Sequence, residues 1–146
     1  MIYTPITKRA LALCFEAHKD QLDKSGLPYV FHPFHLAEQM TDEITTTVAL
    51  LHDVVEDSDV TLEALTEMGF PDAVTKAIAL LTHDSAVPYM DYVAKIKENP
   101  IAKAVKLADL QHNSDTSRLD TVTPYDEIRA EKYQNAIKLL EAPDEI

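Results

Sequence analysis

Apolar residues recur every three or four positions along most of this chain, the spacing of helices that bury one face. In the first segment, that apolar face consists of Leu11, Cys14, Phe15, His18 and Leu22. The pattern predicts a helix over residues 7–22, followed by a loop whose glycine and proline interrupt the helix at residues 24–28.

Further segments carry the same signal, and most of them begin at a proline. Proline suits the first turn of a helix because that turn needs no amide hydrogen from it. The predicted ranges are 33–40, 44–55, 61–69, 71–81, 88–97, 100–116 and 123–141. With only two glycines and no alternating apolar pattern, the chain is predicted to be all-α, a single domain of seven to eight helices over residues 1–146.

Charge narrows the choice of partners. Thirteen basic and twenty-five acidic residues give a formal charge of -12, which repels nucleic-acid backbones and anionic lipid. We therefore expect neither nucleic acid nor a membrane as a partner. A phosphorylated substrate would need a bound cation to offset the negative electrostatic field of the protein. A lone cysteine, Cys14, and the lack of a long apolar segment favour a cytoplasmic protein. The sequence does not indicate an oligomeric state.

The third predicted helix carries an acidic edge. At about 100° per residue, His52, Asp53, Glu56 and Asp57 fall on one side of this helix, away from its apolar stripe. Carboxylates this close raise each other's pKa unless a cation joins them. The edge is therefore either a solvated acidic face or part of a metal site.

The helix predicted over residues 100–116 carries a second polar face. Its members at positions i, i+3, i+4 and i+7 are Asp109, His112, Asn113 and Thr116. Asp109 follows apolar residues and is expected to enter the interior, where an unpaired carboxylate is costly and a metal-bound one is not. The alternative is a carboxylate that caps a neighbouring helix.

Five short motifs occur in a fixed order: KSGLPY at 24–29, HP at 32–33, ALLHDVVED at 49–57, VKLAD at 105–109 and HN at 112–113. Together they resemble the HD-domain phosphohydrolases, in particular the hydrolase domain of the RelA/SpoT-homologue stringent-response enzymes and the small proteins that consist of that domain alone. The resemblance covers roughly residues 8–118. It implies an HD-domain helical bundle.

The resemblance also implies roles for ten residues. One divalent ion, typically Mn²⁺ in the family, would be bound by His32, His52, Asp53 and Asp109. Two imidazoles and two carboxylates also accept Fe²⁺, Co²⁺ or Zn²⁺. The pair that orients or deprotonates the attacking water would be Glu56 and Asp57. The nucleotide would contact Lys24, Ser25, Asn113 and Thr116. The other histidines, His18, His35, His83 and His112, are taken as structural by default, and His112 is the first candidate for an exception because it flanks the site.

The implied activity is removal of the 3′-pyrophosphate from ppGpp or pppGpp. The larger enzymes usually have arginine where this chain has Asp23, Leu110 and Asp115, although the positive charges of Lys106 and Arg118 remain. These departures favour an alternative, a metal-dependent phosphatase acting on another nucleotide such as a deoxynucleoside monophosphate or NADPH. A third alternative is a module that binds a nucleotide without turnover, although Glu56 and Asp57 argue against it because binding alone needs no water-positioning pair.

Overall fold

The computed structural model describes residues 1–143, and these form nine helical segments. The segments are α1 Pro5–His18, α2 Phe31–Glu38, α3 Glu43–Leu51, α4 Val54–Asp57, α5 Leu62–Glu67, α6 Asp72–Leu81, α7 Tyr89–Lys97, α8 Pro100–Ser114 and α9 Pro124–Glu141. Apart from one isolated bridge between Leu22 and Pro28, the described residues contain no β-structure. The predicted all-α class is confirmed.

Polar caps fix where several helices begin. The hydroxyl oxygen of Thr4 accepts a hydrogen bond from the Thr7 amide at the start of α1, and Thr123 does the same for Asp126 at the start of α9. The Asn99 side chain accepts from two amides at the start of α8. These caps satisfy amides that have no partner within the helix.

Helix α3 lies at the centre of the molecule, in contact with α1, α2, α6 and α8. All of its residues from Thr45 to Leu51 are buried, as expected for a helix surrounded by others. Its threonines are tolerated there because their hydroxyls donate to carbonyls one turn earlier: Thr46 to Asp42 at 2.6 Å and Thr47 to Glu43 at 2.8 Å.

Two predicted helix boundaries are wrong. Helix α1 ends at His18 rather than near Leu22, because the chain turns back and the Tyr29 amide donates to the Gln21 carbonyl. The third predicted helix breaks after Leu51 and resumes as α4, with Asp53 between them at φ -108° and ψ 0°. This break accounts for nine helical segments where seven to eight were expected. None of the helices in the described range has the length and apolar character needed to cross a bilayer.

Candidate active site

Three helices bring a histidine–histidine–aspartate cluster together in the interior. His32 comes from the first turn of α2, His52 follows the end of α3, and Asp109 comes from the middle of α8. Because α3 packs against both α2 and α8, one ligand atom from each residue lies within 4.8 Å of the other two. All three residues are buried.

The hydrogen bonds around this cluster leave room for a cation. Nε2 of His32 lies 2.8 Å from Oδ1 of Asp109, and Nε2 of His52 lies 3.6 Å from the same oxygen. Nδ1 of His52 donates to the Ala49 carbonyl at 2.7 Å, so Nε2 is directed at the carboxylates of Asp53 and Asp109. Burial opposes a charge on His52, but these two carboxylates raise its pKa well above the usual value, and a bound metal ion would take the place of the proton on Nε2. That buried atom has no hydrogen-bond partner among the described residues. Acceptors converging on one point fit a divalent metal ion.

Asp53 lies at the edge of this cluster. Its Oδ2 is 3.1 Å from Nε2 of His52 and accepts a hydrogen bond from the Tyr29 hydroxyl. The helix break after Leu51 therefore lets the carboxylate meet both of these side chains instead of continuing along a helix surface. The structure thus brings three of the four predicted ligands into one cluster and places the fourth, Asp53, against His52 beside it.

Lys106 supplies the positive charge in this otherwise acidic cluster. Its Nζ lies 3.0 Å from Oδ2 of Asp109, and both side chains are almost fully buried. Burial alone would raise the pKa of Asp109, but the Lys106 ammonium and the hydrogen bond from His32 hold it well below its usual range. Burial likewise opposes ionisation of Asp53, yet the adjacent His52 ring lowers its pKa to about 2. Both carboxylates are therefore ionised at neutral pH.

His112, predicted to be structural, contacts a predicted ligand. Its ring stacks on His32 with centroids 4.9 Å apart, and the two Nδ1 atoms are 2.6 Å apart. Burial and the neighbouring His32 and Arg118 lower the pKa of His112 to about 4. A neutral His112 can accept the Nδ1 hydrogen of His32, which directs the other ring nitrogen of His32 at the cluster.

The predicted water-positioning pair is divided between two surfaces. Glu56 lines a small cavity together with His52 and Asp53, and its carboxylate accepts a hydrogen bond from the His83 amide at 2.7 Å. Asp57 instead lines a separate depression beside α1 and accepts from the Gln21 amide group at 3.3 Å. The acidic edge predicted from a continuous helix therefore does not form, because the backbone breaks between His52 and Val54.

A cavity of about 410 Å³ contains all four predicted substrate contacts, and we call it the large cavity. Lys24 and Ser25 line it from the loop after α1, Asn113 lines it from the last turn of α8, and Thr116 lines it from the segment that follows α8. Nδ2 of Asn113 also donates to Oδ1 of Asp109 at 3.0 Å. The amide therefore connects this cavity with the candidate metal ligands.

The three departures from the family's arginines have different structural consequences. Oδ1 of Asp23 accepts from the Ser25 amide and hydroxyl and from the Leu27 amide, and Oδ2 pairs with Arg118 at 3.2 Å. Asp23 thereby organises the loop that carries Lys24. Leu110 is fully buried in the core and does not line the large cavity, whereas Asp115 does.

A second cavity, of about 190 Å³, adjoins the cluster, and we call it the small cavity. Its lining includes His52, Asp53, Glu56 and Asp109 from the candidate site, together with His83, Tyr89, Tyr92, Lys106, Asn113, Lys132 and Tyr133. From the sequence, Lys106 is only a remaining positive charge, and Lys132 has no predicted role. The position of Lys106 one turn before Asp109 was a usable signal. No local sequence signal pointed to Lys132, because the residues around it in the cavity are distant in the chain.

Comparison with known proteins identifies the family. No protein-family model matches this chain. The chain is 34% identical over 134 residues to the mouse protein named guanosine-3′,5′-bis(diphosphate) 3′-pyrophosphohydrolase MESH1, covering 82% of this chain and 74% of the mouse protein. It is 32% identical over 143 residues to the Aquifex aeolicus enzyme named guanosine-3′,5′-bis(diphosphate) 3′-pyrophosphohydrolase, covering 90% of this chain but only 19% of that enzyme.

A solved structure supports the same relationship. It belongs to work on a metazoan orthologue of SpoT that hydrolyses ppGpp, and it superposes with a TM-score of 0.72 at 27% identity, covering 96% of this chain and 85% of that one. The described helices thus share the fold of that protein along nearly their whole length. By sequence and by fold, the chain belongs to the MESH1-type family of guanosine-3′,5′-bis(diphosphate) 3′-pyrophosphohydrolases.

Proposed function

We propose that this protein hydrolyses ppGpp or pppGpp to GDP or GTP and pyrophosphate. The observation that carries the proposal is the buried cluster of His32, His52 and Asp109, whose His52 Nε2 lacks a hydrogen-bond partner. The large cavity with its four predicted nucleotide contacts lies beside this cluster. The mouse relative is named for the same activity, and this chain covers 74% of its length.

His32, His52, Asp53 and Asp109 are the proposed ligands of one divalent ion, and Mn²⁺ is the proposed metal. A bound divalent ion would polarise a phosphate oxygen and lower the pKa of a bound water. The nitrogen and oxygen donors and the lack of a nearby thiolate suit Mn²⁺, and they also suit Fe²⁺, Co²⁺ and Zn²⁺. Loading with each ion in turn and comparing turnover identifies the metal that supports hydrolysis.

Glu56 is the proposed general base. Partial burial of its carboxyl group, together with the Asp53 and Asp57 carboxylates, raises the pKa of Glu56 and makes it a better proton acceptor near neutral pH. In the reaction, a water oxygen bonds to the phosphorus attached to ribose O3′ while the bond from phosphorus to O3′ breaks. Glu56 takes the proton from the water, and O3′ leaves with the bonding electrons and gains a proton. A role for Asp57 stays a prediction.

The nucleoside is proposed to occupy the large cavity. After donating one hydrogen to Asp109, the Asn113 amide retains a second hydrogen and its oxygen for a ribose hydroxyl. Lys24 also lines this cavity and is exposed, with Nζ 5.2 Å from the centre of the Tyr125 ring, where it can meet a phosphate or stack with a base. Ser25 and Thr116 add hydroxyl groups to the same cavity.

One observation favours the alternative of a less highly charged nucleotide. The Arg118 guanidinium at the large cavity is paired with Asp23, and the carboxylates of Asp115 and Asp126 offset the other two cations of the lining, Lys24 and Arg129. The lining therefore has no net positive charge, and a deoxynucleoside monophosphate or NADPH, which carries fewer negative charges than ppGpp, would need less compensation there. A non-catalytic binding module is a third alternative, which measurable turnover would exclude.

A hydrolysis assay separates these functions. The protein is stripped of metal, reloaded with Mn²⁺ and incubated with ppGpp, a deoxynucleoside monophosphate or NADPH, and the products are separated by ion-exchange chromatography. We expect GDP and intact pyrophosphate from ppGpp, no product from the Asp53→Ala variant, and normal turnover by the exposed control Asp59→Ala. Faster release of phosphate from either other nucleotide would replace the proposed substrate.

A Glu56→Gln variant tests the proposed base. It should bind Mn²⁺ normally and turn over about 10²- to 10⁴-fold more slowly, the usual contribution of a general base. Full activity would remove Glu56 from the mechanism.

We also propose that the protein is cytoplasmic and that residues 1–146 form a single domain. Cell fractionation tests the location, and limited proteolysis tests the single domain.

A further inference from the structure

The lining of the small cavity combines residues of the candidate metal site with residues that have no assigned role. The first group includes His52, Asp53 and Asp109, and the second includes Tyr89 and Lys132. At about 190 Å³ this cavity is less than half the volume of the large cavity. It therefore suits a smaller group than the nucleoside.

Lys132 brings an uncompensated positive charge to the small cavity. Its Nζ lies 4.0 Å from the centre of the Tyr89 ring, and within residues 1–143 it forms no ion pair with a carboxylate. By contrast, the Lys106 ammonium in the same cavity is already paired with Asp109. In a protein with a net charge of -12, an unpaired ammonium facing a cavity is a binding determinant for an anion.

The Tyr89 hydroxyl gives an independent indication of a missing ligand. It is buried and has no hydrogen-bond partner among the described residues, although Tyr89 lines the small cavity. A buried hydroxyl without an acceptor is unfavourable. An oxygen of a bound anion would accept its hydrogen.

The two cavities meet at the residues proposed to carry out hydrolysis. Asn113 lines both of them, and its amide donates to the candidate metal ligand Asp109. Cleavage of the bond between phosphorus and O3′ divides the substrate into a nucleoside part and a pyrophosphoryl part. If the nucleoside occupies the large cavity, the pyrophosphoryl part extends to the other side of the ligand cluster.

We propose that the small cavity is the subsite for the 3′-pyrophosphoryl group and that Lys132 and Tyr89 bind its terminal phosphate. This inference rests on the proposed hydrolysis of a 3′-pyrophosphate. The subsite distinguishes a 3′-diphosphate from a 3′-monophosphate, because only the diphosphate has a terminal phosphate to reach Lys132. It also holds pyrophosphate after cleavage, so pyrophosphate inhibits the enzyme as a product.

The small cavity cannot hold this anion without the metal ion. Its lining includes the carboxylates of Asp53, Glu56 and Asp109, against the ammonium groups of Lys106 and Lys132. These five groups leave the lining net negative, so a divalent cation is needed to make it attractive to pyrophosphate. Pyrophosphate binding is therefore expected in Mn²⁺-loaded protein and not in metal-free protein.

The test compares variants of Lys132 with a lysine on the same helix. Lys138 on α9 is also exposed and does not line the small cavity, so Lys138→Gln controls for the loss of one surface charge. Binding of inorganic pyrophosphate to Mn²⁺-loaded wild type, Lys132→Gln, Lys132→Arg and Lys138→Gln is measured by calorimetry at a fixed excess of Mn²⁺. Binding of GDP is measured in parallel.

We expect Lys132→Gln to weaken pyrophosphate binding by about tenfold or more, as for loss of a charged hydrogen-bond partner. Lys132→Arg and Lys138→Gln should bind it like the wild type, and GDP binding should be the same in all four proteins. Tyr89→Phe should weaken pyrophosphate binding more than GDP binding. Equal pyrophosphate affinities for Lys132→Gln and Lys138→Gln would overturn the inference.

These outcomes are separable from the fate of the proposed function. Hydrolysis of ppGpp by the wild type tests the function, whereas pyrophosphate affinity needs no turnover. If the wild type hydrolyses ppGpp and Lys132→Gln binds pyrophosphate as tightly as the wild type, only the proposed subsite is rejected. If the wild type is inactive but Lys132→Gln still weakens pyrophosphate binding, the proposed substrate is rejected and the anion site is retained.

Discussion

Replacing Lys106 by methionine should destabilise the metal-free protein strongly. The substitution keeps the length of the side chain but removes the ammonium group that lies 3.0 Å from Oδ2 of Asp109. The side chains of Lys106 and Asp109 are only 13% and 8% exposed, so water cannot replace the lost partner. The Asp109 carboxylate would then stay buried with the Asn113 amide and the His32 ring as hydrogen-bond partners but without the lysine charge.

The size of the effect follows from this distance. Two unit charges 3.0 Å apart attract by about 5–6 kcal/mol at an effective dielectric constant of about 20. Part of this attraction is offset because the variant no longer buries an ammonium group. The expected net loss is about 3–5 kcal/mol, the range for removing one partner of a buried ion pair.

Urea denaturation in the presence of EDTA measures this loss. Lys103, one turn earlier on α8, makes no ion pair within residues 1–143, so Lys103→Met is the matched control and should lose less than about 1 kcal/mol. Saturating Mn²⁺ should stabilise Lys106→Met more than it stabilises the wild type, because the ion then supplies the only strong positive charge beside Asp109. A loss no larger than that of Lys103→Met, or a smaller effect of Mn²⁺ on the variant, would refute this reasoning.

Three further predictions concern Tyr29, Asp53 and Cys14. Because the Tyr29 hydroxyl donates to Asp53, Tyr29→Phe should weaken Mn²⁺ binding by about 10- to 100-fold in a metal titration, and unchanged affinity would contradict that role. Since the folded pKa of Asp53 is depressed to about 2, its contribution of about 2 kcal/mol in metal-free protein is present above pH 4 and lost as the pH falls towards 2. In unfolding experiments, the stability of the Asp53→Asn variant should therefore fall less than that of the wild type between pH 4 and pH 2. Burial, followed by the Asp53 charge, raises the pKa of Cys14 to about 12, so iodoacetamide at pH 7.5 should alkylate it in urea but not in the native protein.

The charged side chains of the candidate site come from different helices. Asp109 on α8 is paired with Lys106 one turn earlier, whereas His32 comes from α2 and His52 from the end of α3. Removing any one charge therefore changes the balance for several helices at once. Metal affinity and folding stability are coupled at this cluster.

Most helices could be predicted because their signals are local. Apolar spacing, prolines in the first turn and capping side chains act within a few residues, so the starts of α8 and α9 at Pro100 and Pro124 were foreseen. The candidate ligands could also be named, because the order of short motifs is a property of the chain itself. These features do not depend on how the helices pack.

The break at Asp53 could not be predicted in the same way. The apolar stripe of Ile44, Val48, Leu51 and Val55 continues across it, so the periodicity indicates one uninterrupted helix. The contacts of Asp53 with Tyr29 and His52 exist only once the loop after α1 has folded against the end of α3. A tertiary contact thus overrides local propensity at the position where the candidate site is built.

The sequence by itself determined the all-α class and most helix boundaries, because periodicity and caps are local properties of the chain, and its resemblance to a known family named the candidate metal ligands. Tertiary structure alone decided that Glu56 and Asp57 face different surfaces, that Asp23 neutralises Arg118, and that Lys132 from α9 meets Tyr89 from α7. Each of these depends on which helix faces meet. That choice follows from packing between segments far apart in the chain, and local spacing carries no record of it.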